Sequence, residues 1–131
     1  MNNSADIGKL GEDIAVKFLN NKGFHVKTRN YRKIFGELDI VAEKRGKVHF
    51  VEVKTLSYET GDSSAYKNKP EDSVHYRKRE RLKRAIQGYL REYSISHETD
   101  WQFDIIAVYL NTKEKTAKVR FLRGFVLENG R

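Results

Sequence analysis

The residues best placed to do chemistry are Asp39, Glu52 and Lys54, all within GELDIVAEKRGKVHFVEVK, Gly36 to Lys54. Both halves of this stretch alternate as strands. Lys44-Arg45-Gly46-Lys47 between them reads as a hairpin turn, with Gly46 accepting a positive φ. Centring the loop between Arg45 and Gly46 opposes Glu43 to Val48, Val41 to Phe50, Asp39 to Glu52 and Glu37 to Lys54. Opposed residues share a face of the sheet. One face then carries Leu38, Ile40, Ala42, Val51 and Val53, with His49 nearer the turn, and is expected to be the core face.

The other face is unusual. Carboxylates directly opposed, with Cβ atoms about 5 Å apart, repel by about 3 kcal/mol at an effective dielectric near 20. That is large against a total stability of about 5–15 kcal/mol. A hard divalent cation such as Mg²⁺ relieves the repulsion, because it takes oxygen ligands from one or two carboxylates, waters and phosphate. Such an ion activates water and stabilises the charge that grows on a phosphodiester under attack. Lys54 points from the same face as Glu52. It can hold a phosphate oxygen, orient water or stabilise developing negative charge. A second reading stands beside this one: Glu37 and Lys54 pair with the acids as a solvated charge ladder on an exposed face. A longer loop or a bulge would also shift the register and undo the opposition.

The elements that must position these groups follow from periodicity. Ile7, Leu10, Ile14 and Phe18 recur at helical spacing in Ser4 to Asn21. Gly8 and Gly11 weaken the interior of that helix by about 1 kcal/mol each, which implies that something approaches it closely. Strands are expected over Phe24 to Arg29, Glu37 to Glu43 and Val48 to Lys54. Thr55 to Ser73 reads as a polar, mobile loop. Val74 to Tyr93 reads as a second helix with an apolar stripe of Leu82, Ala85, Ile86, Tyr89 and Leu90. Trp101 to Leu110 reads as a buried strand, and Ala117 to Leu127 as one or two more. The order αβββαββ predicts an α/β fold, a mixed sheet with helices.

The chain has 131 residues, which predicts one domain over 1–131. Its 26 Lys and Arg against 18 Asp and Glu give a net charge of +8, a balance that favours a polyanionic partner. Cysteine is absent, which excludes disulfides and thiolate metal sites. The N-terminal residues lack the basic start and long apolar run of a signal peptide, and no stretch is apolar enough to span a bilayer. A cytoplasmic protein without membrane contact is expected. Basic residues cluster at Arg29, Arg32 and Lys33, and again from Arg77 through Lys78 and Arg81 to Arg91. Both groups are candidates for a phosphate backbone, which binds without sequence reading. Tyr31, Tyr58, Tyr66 and Tyr76 can stack on unpaired bases, although packing is the first expectation for each. Asp104, between Phe103 and Ile105, is expected to serve a structural hydrogen bond. The four histidines show no metal-ligand spacing.

An acid followed about a dozen residues later by Glu-x-Lys on the next strand resembles the PD-(D/E)XK nuclease core. Here the acid is Asp39 and the later motif is Glu52-Val53-Lys54. The segments KLGEDIAVKFL, TRNYR, GELDIVAE, FVEVKT and QFDIIAVYL resemble the YraN-type family of small nuclease-like proteins, itself similar to archaeal Holliday-junction resolvases. The resemblance runs from Gly8 to about Phe125. It implies a single-domain restriction-endonuclease-like fold, a central mixed sheet flanked by helices. It implies Mg²⁺ or Mn²⁺ on Asp39, Glu52 and the carbonyl of Val53, with Lys54 as the catalytic lysine and Glu12 as an assisting acid from the first helix. The implied activity is a metal-dependent endonuclease on DNA, branched or single-stranded structures included, with a symmetric homodimer by analogy. A nucleic-acid-binding module that keeps the fold without catalysis is the alternative. The proline of the superfamily name is missing, since Leu38 precedes Asp39.

Overall fold

The computed structural model of the chain describes residues 4–59, 76–125 and 127. In chain order the elements are α1 (Ser4–Asn21), β1 (His25–Lys33), β2 (Gly36–Lys44), β3 (Lys47–Tyr58), α2 (Tyr76–Glu92), β4 (Trp101–Asn111) and β5 (Thr116–Phe125). The five strands form one sheet in sequence order. β3 and β4 are parallel, joined by the crossover that contains α2, and the other neighbours are antiparallel. The sheet is therefore mixed, with helices on its faces, as the order of elements predicts.

The β2–β3 hairpin turns at Arg45 and Gly46, whose φ angles are 52° and 78°. Two successive positive φ values match the right-handed twist of the strands. The register is the expected one near the turn: Lys44↔Lys47, Glu43↔Val48, Ala42↔His49, Val41↔Phe50 and Ile40↔Val51. Strand β4 is buried from Phe103 to Asn111, as suits a central strand covered on both faces.

Two expectations need correction. The sheet has two core faces. Ala15 and Leu19 of α1 pack with Ile40, Ala42, Val51, Ile106 and Val108. Leu82, Ala85, Ile86 and Tyr89 of α2 pack with Leu38, Val41, Phe50 and Ile105 on the opposite face. Leu38 thus lies across the sheet from Ile40. The cause is local: β1–β2 pairs run from Arg29↔Ile40 to Tyr31↔Leu38, and Asn30 between them has a φ of 55°. Asparagine tolerates that conformation better than most residues, and the strands change face there. The polar segment after Lys54 also differs, because 55–58 continue β3 alongside β4. Val108, Tyr109, Leu110 and Asn111 supply a hydrogen-bonding edge that overrides the weak apolar pattern of Thr55–Tyr58. Of the loop expected over Thr55 to Ser73, residues 60–73 lie outside the described residues.

Candidate active site

Asp39 and Glu52 do not meet as ladder partners. The β2–β3 pairing ends at Ile40↔Val51, and the strands separate beyond it. The Asp39 side chain enters the gap, where its Oδ2 accepts the backbone N–H of Val53 at 2.8 Å. A side chain thus replaces the missing ladder acceptor, and the backbone donor stays satisfied. The separation opens a cleft of about 620 Å³ lined by Asp39, Glu52, Val53 and Lys54 from the strands and by Lys78 and Arg81 from α2.

The electrostatics of the cleft are those expected of crowded acids. Burial pushes the Asp39 carboxyl up to about 6, against the pull of the Val53 hydrogen bond, with the charges of Glu52, Glu12 and Glu37 adding to the rise. Glu52 is buried, 8% exposed. Its Oε2 accepts from Lys54 Nζ at 3.3 Å and from Lys78 Nζ in a closer ion pair. Burial lowers Lys54, and the neighbouring Lys78 adds to the fall. Burial also works against Lys78, but its hydrogen bond to Glu52, with the charges of Glu52 and Asp39, outweighs that and holds its ammonium above the ordinary lysine value.

Glu12 reaches toward the same region from α1. Its Oε1 accepts from Arg29 Nε at 3.2 Å, Arg29 Nη2 at 2.9 Å and Asn30 Nδ2 at 2.9 Å. Arg29 also pairs with Asp13 at 2.7 Å. Arg29, expected on a phosphate backbone, therefore orients Glu12. Arg32 lies on the α1 side of the gap. Lys33 sits 3.5 Å from Glu92 and over the ring of Tyr31. The side chain of Arg77 lies outside the described residues, as do those of Tyr66 and Tyr76. Tyr31 is buried, donates to Glu92 at 2.7 Å and packs on Tyr89, so it is not a stacking platform.

Asp104 stands apart from the cleft. Fully buried, it accepts from Gln102 Nε2 at 2.6 Å and the Gly124 backbone N–H at 2.8 Å, and shares a 2.8 Å hydrogen bond with His49 Nδ1. This is the structural role expected of it. Two site features were not legible beforehand. Lys78 was expected on a nucleic-acid surface, yet it lies on Glu52 within the cleft. Asn30 orients Glu12 and stands beside the place where the strands change face. Its only sequence signal is its position in the TRNYR segment.

Asp39 and Glu52 offer carboxylate oxygens, the donor type that hard dications take. Among the described residues no three His, Cys, Asp or Glu side chains are close enough together to hold a metal. An ion at this place would have the Asp39 and Glu52 carboxylates, a backbone carbonyl such as that of Val53, and oxygens of water or substrate as ligands. That composition fits Mg²⁺ or Mn²⁺ rather than a zinc site.

The site thus stands on a mixed sheet between two helices, with an Asp and a Glu-x-Lys motif where the β2–β3 hairpin opens. The profile described as "Uncharacterised protein family UPF0102" matches residues 11–108. A UPF0102 protein of Dictyoglomus turgidum is 36% identical over 92% of this chain and 96% of its own length. One of Clostridium botulinum is 34% identical over 90% of this chain and 91% of its own. The chain belongs to the UPF0102 family, the YraN-type proteins that its segments resemble. Among the described residues no helix is long and apolar enough to cross a membrane.

Proposed function

We propose that the protein is a metal-dependent nuclease that hydrolyses phosphodiester bonds in nucleic acid, with DNA as the expected substrate. The observation that carries this reading is the convergence of Asp39, Glu52 and Lys54 where β2 and β3 separate, with Asp39 pushed up to about 6 by burial and neighbouring carboxylates. Asp39, Glu52 and the Val53 carbonyl would hold Mg²⁺ or Mn²⁺, which when bound supplies water activation and charge neutralisation at phosphorus. The Val53 N–H fixes one oxygen of Asp39 and leaves the other free to face the cleft. Lys54 presents its ammonium to a phosphate oxygen, and its lowered proton affinity suits it to exchange a proton with an attacking water. Lys78 and Arg81 of α2 line the same cleft and attract the phosphate backbone. Glu12, held by Arg29 and Asn30, adds an acid on the α1 side.

A second reading has one observation in its favour. Lys54 and Lys78 together neutralise Glu52 without any ion, the state that a non-catalytic nucleic-acid-binding module would keep. Asp39→Ala separates the two readings. Under the nuclease reading the variant binds labelled DNA but does not cut it in Mg²⁺, as the wild-type protein does not in EDTA. Cutting by the variant at the wild-type rate would sink the assignment of Asp39.

A further inference from the structure

Gly8 has no packing neighbour in the candidate active site. A glycine inside a helix is less favourable than alanine, and the usual compensation is a close approach of some group to the backbone. Gly11, one turn on, has that neighbour: a Cβ there would lie 1.9 Å from Thr55 Oγ1. At Gly8, among the described residues, nothing lies within 4 Å of where a Cβ would be. Gly8 is exposed and forms part of the wall of a second trough, about 700 Å³, on the α1 side of the sheet. This trough shares Asp39, Val53 and Lys54 with the α2-side cleft. Asp39, Val53 and Lys54 therefore form a ridge with a depression on either side, and Glu52 faces the α2-side cleft alone.

The trough's lining combines three basic side chains, Lys9, Arg32 and Lys54, with the carboxylates of Glu12 and Asp39. Besides Gly8 its lining includes Lys9, Asn30 and Arg32. Arg32 donates to Asn30 Oδ1 at 3.2 Å, and among the described residues no carboxylate lies within ion-pair distance of it. Lys9 pairs with Asp13 at 3.3 Å across one exposed helical turn, a bond weak enough to yield to phosphate. Of the trough's two acids, Glu12 is already paired with Arg29 and Asp39 accepts the Val53 N–H.

We infer that the α1-side trough is a second nucleic-acid subsite. It carries the sugar–phosphate backbone of a single strand away from the ridge, and Gly8 lacks a side chain so that the strand can lie against α1. The inference rests on the proposed phosphodiester site, because a strand whose phosphate sits on the ridge must continue on both sides. The α2-side cleft takes one side and the trough takes the other. The occupant is a single strand because the two depressions belong to opposite faces of the sheet. Bending a duplex of 20–30 base pairs through 40–90° costs about 1–6 kcal/mol, whereas a single strand bends locally and stacks without that cost.

The test is fluorescence anisotropy with a short labelled single-stranded DNA in EDTA, where binding is read without cleavage. Gly8→Ala should melt at or above the wild-type temperature, since the helix gains, yet bind more weakly. Gly8→Gln should weaken binding about tenfold or more. Arg32→Ala should lower the slope of log Kd against log salt by about one phosphate contact. Lys47→Ala, beside the β2–β3 turn at the far end of β3 from the gap, should bind as the wild type does. A folded Gly8→Gln protein that binds single strands with wild-type affinity overturns the trough and leaves the ridge standing. An equal loss on duplex DNA overturns the assignment of a single strand. A folded wild-type protein that binds no nucleic acid removes both the ridge and the trough.

Discussion

Asp39→Asn should make the protein more stable while removing its function. Moving a carboxyl from 3.8 to about 6 penalises its ionised form in the folded state by about 3 kcal/mol at roughly 1.36 kcal/mol per pH unit. Asp39 keeps some exposure to water, which reduces the penalty to about 2 kcal/mol. The sign follows from proton binding. Between pH 3.8 and about 6 the folded protein holds a proton that the unfolded chain has released, so stability falls as pH rises through that window. Above the window the full penalty remains. Asparagine carries no charge to desolvate, its Oδ1 can still accept the Val53 N–H, and its amide can donate to a neighbouring carboxylate. At pH 8 in EDTA the variant should be about 2 kcal/mol more stable, a rise of about 6–10 °C for a domain of this size. Near pH 4 the two proteins should converge. Urea melts from pH 4 to 8 measure the difference, and added Mg²⁺ should raise the wild-type midpoint alone. A variant less stable than the wild type at pH 8, or a difference that stays constant with pH, would refute the electrostatic account of the cleft.

Two further changes test the scaffold. His49→Ala removes a buried partner of Asp104 and leaves a void beside Phe24, whose ring packs edge-on against the imidazole. It should cost about 2–4 kcal/mol in urea melts, and an unchanged midpoint would mean that the pair is unimportant to the fold. Gly11→Ala drives a methyl into Thr55, the residue after Lys54, and should cost about 1–3 kcal/mol. Adding Thr55→Gly should restore part of that loss. Simple additivity in this double-mutant cycle would deny the contact between α1 and β3.

The parts of the fold legible in the sequence were those written in local chemistry. The 3.6 periodicity of Ser4 to Asn21 and the Arg45-Gly46 turn of β2 and β3 were plain, because each is set by neighbours in sequence. The change of face at Asn30 was not, since nothing in TRNYR requires one asparagine to adopt a positive φ until β2 lies beside it. That single feature moved Leu38 to the α2 face. The prominence of Asp39, Glu52 and Lys54 as a chemical group came from residue types and spacing. Their geometry did not, because an ideal hairpin opposes Asp39 to Glu52 whereas the real strands separate and let Asp39 cap Val53. Lys78 was hidden for another reason: one basic residue among the seven between Arg77 and Arg91 cannot be singled out until α2 is docked over β3.

Cleavage of duplex, single-stranded, flapped and four-way-junction DNA in Mg²⁺, Mn²⁺ or EDTA, with Glu52→Ala run beside the wild type, separates a nuclease from a binding module. The account predicts cutting that needs the metal and disappears in a folded Glu52→Ala protein that still binds DNA. Intact DNA in every lane with well-folded, DNA-binding wild-type protein would contradict it, and would leave a nucleic-acid-binding module in which Lys54 and Lys78 serve only to neutralise Glu52.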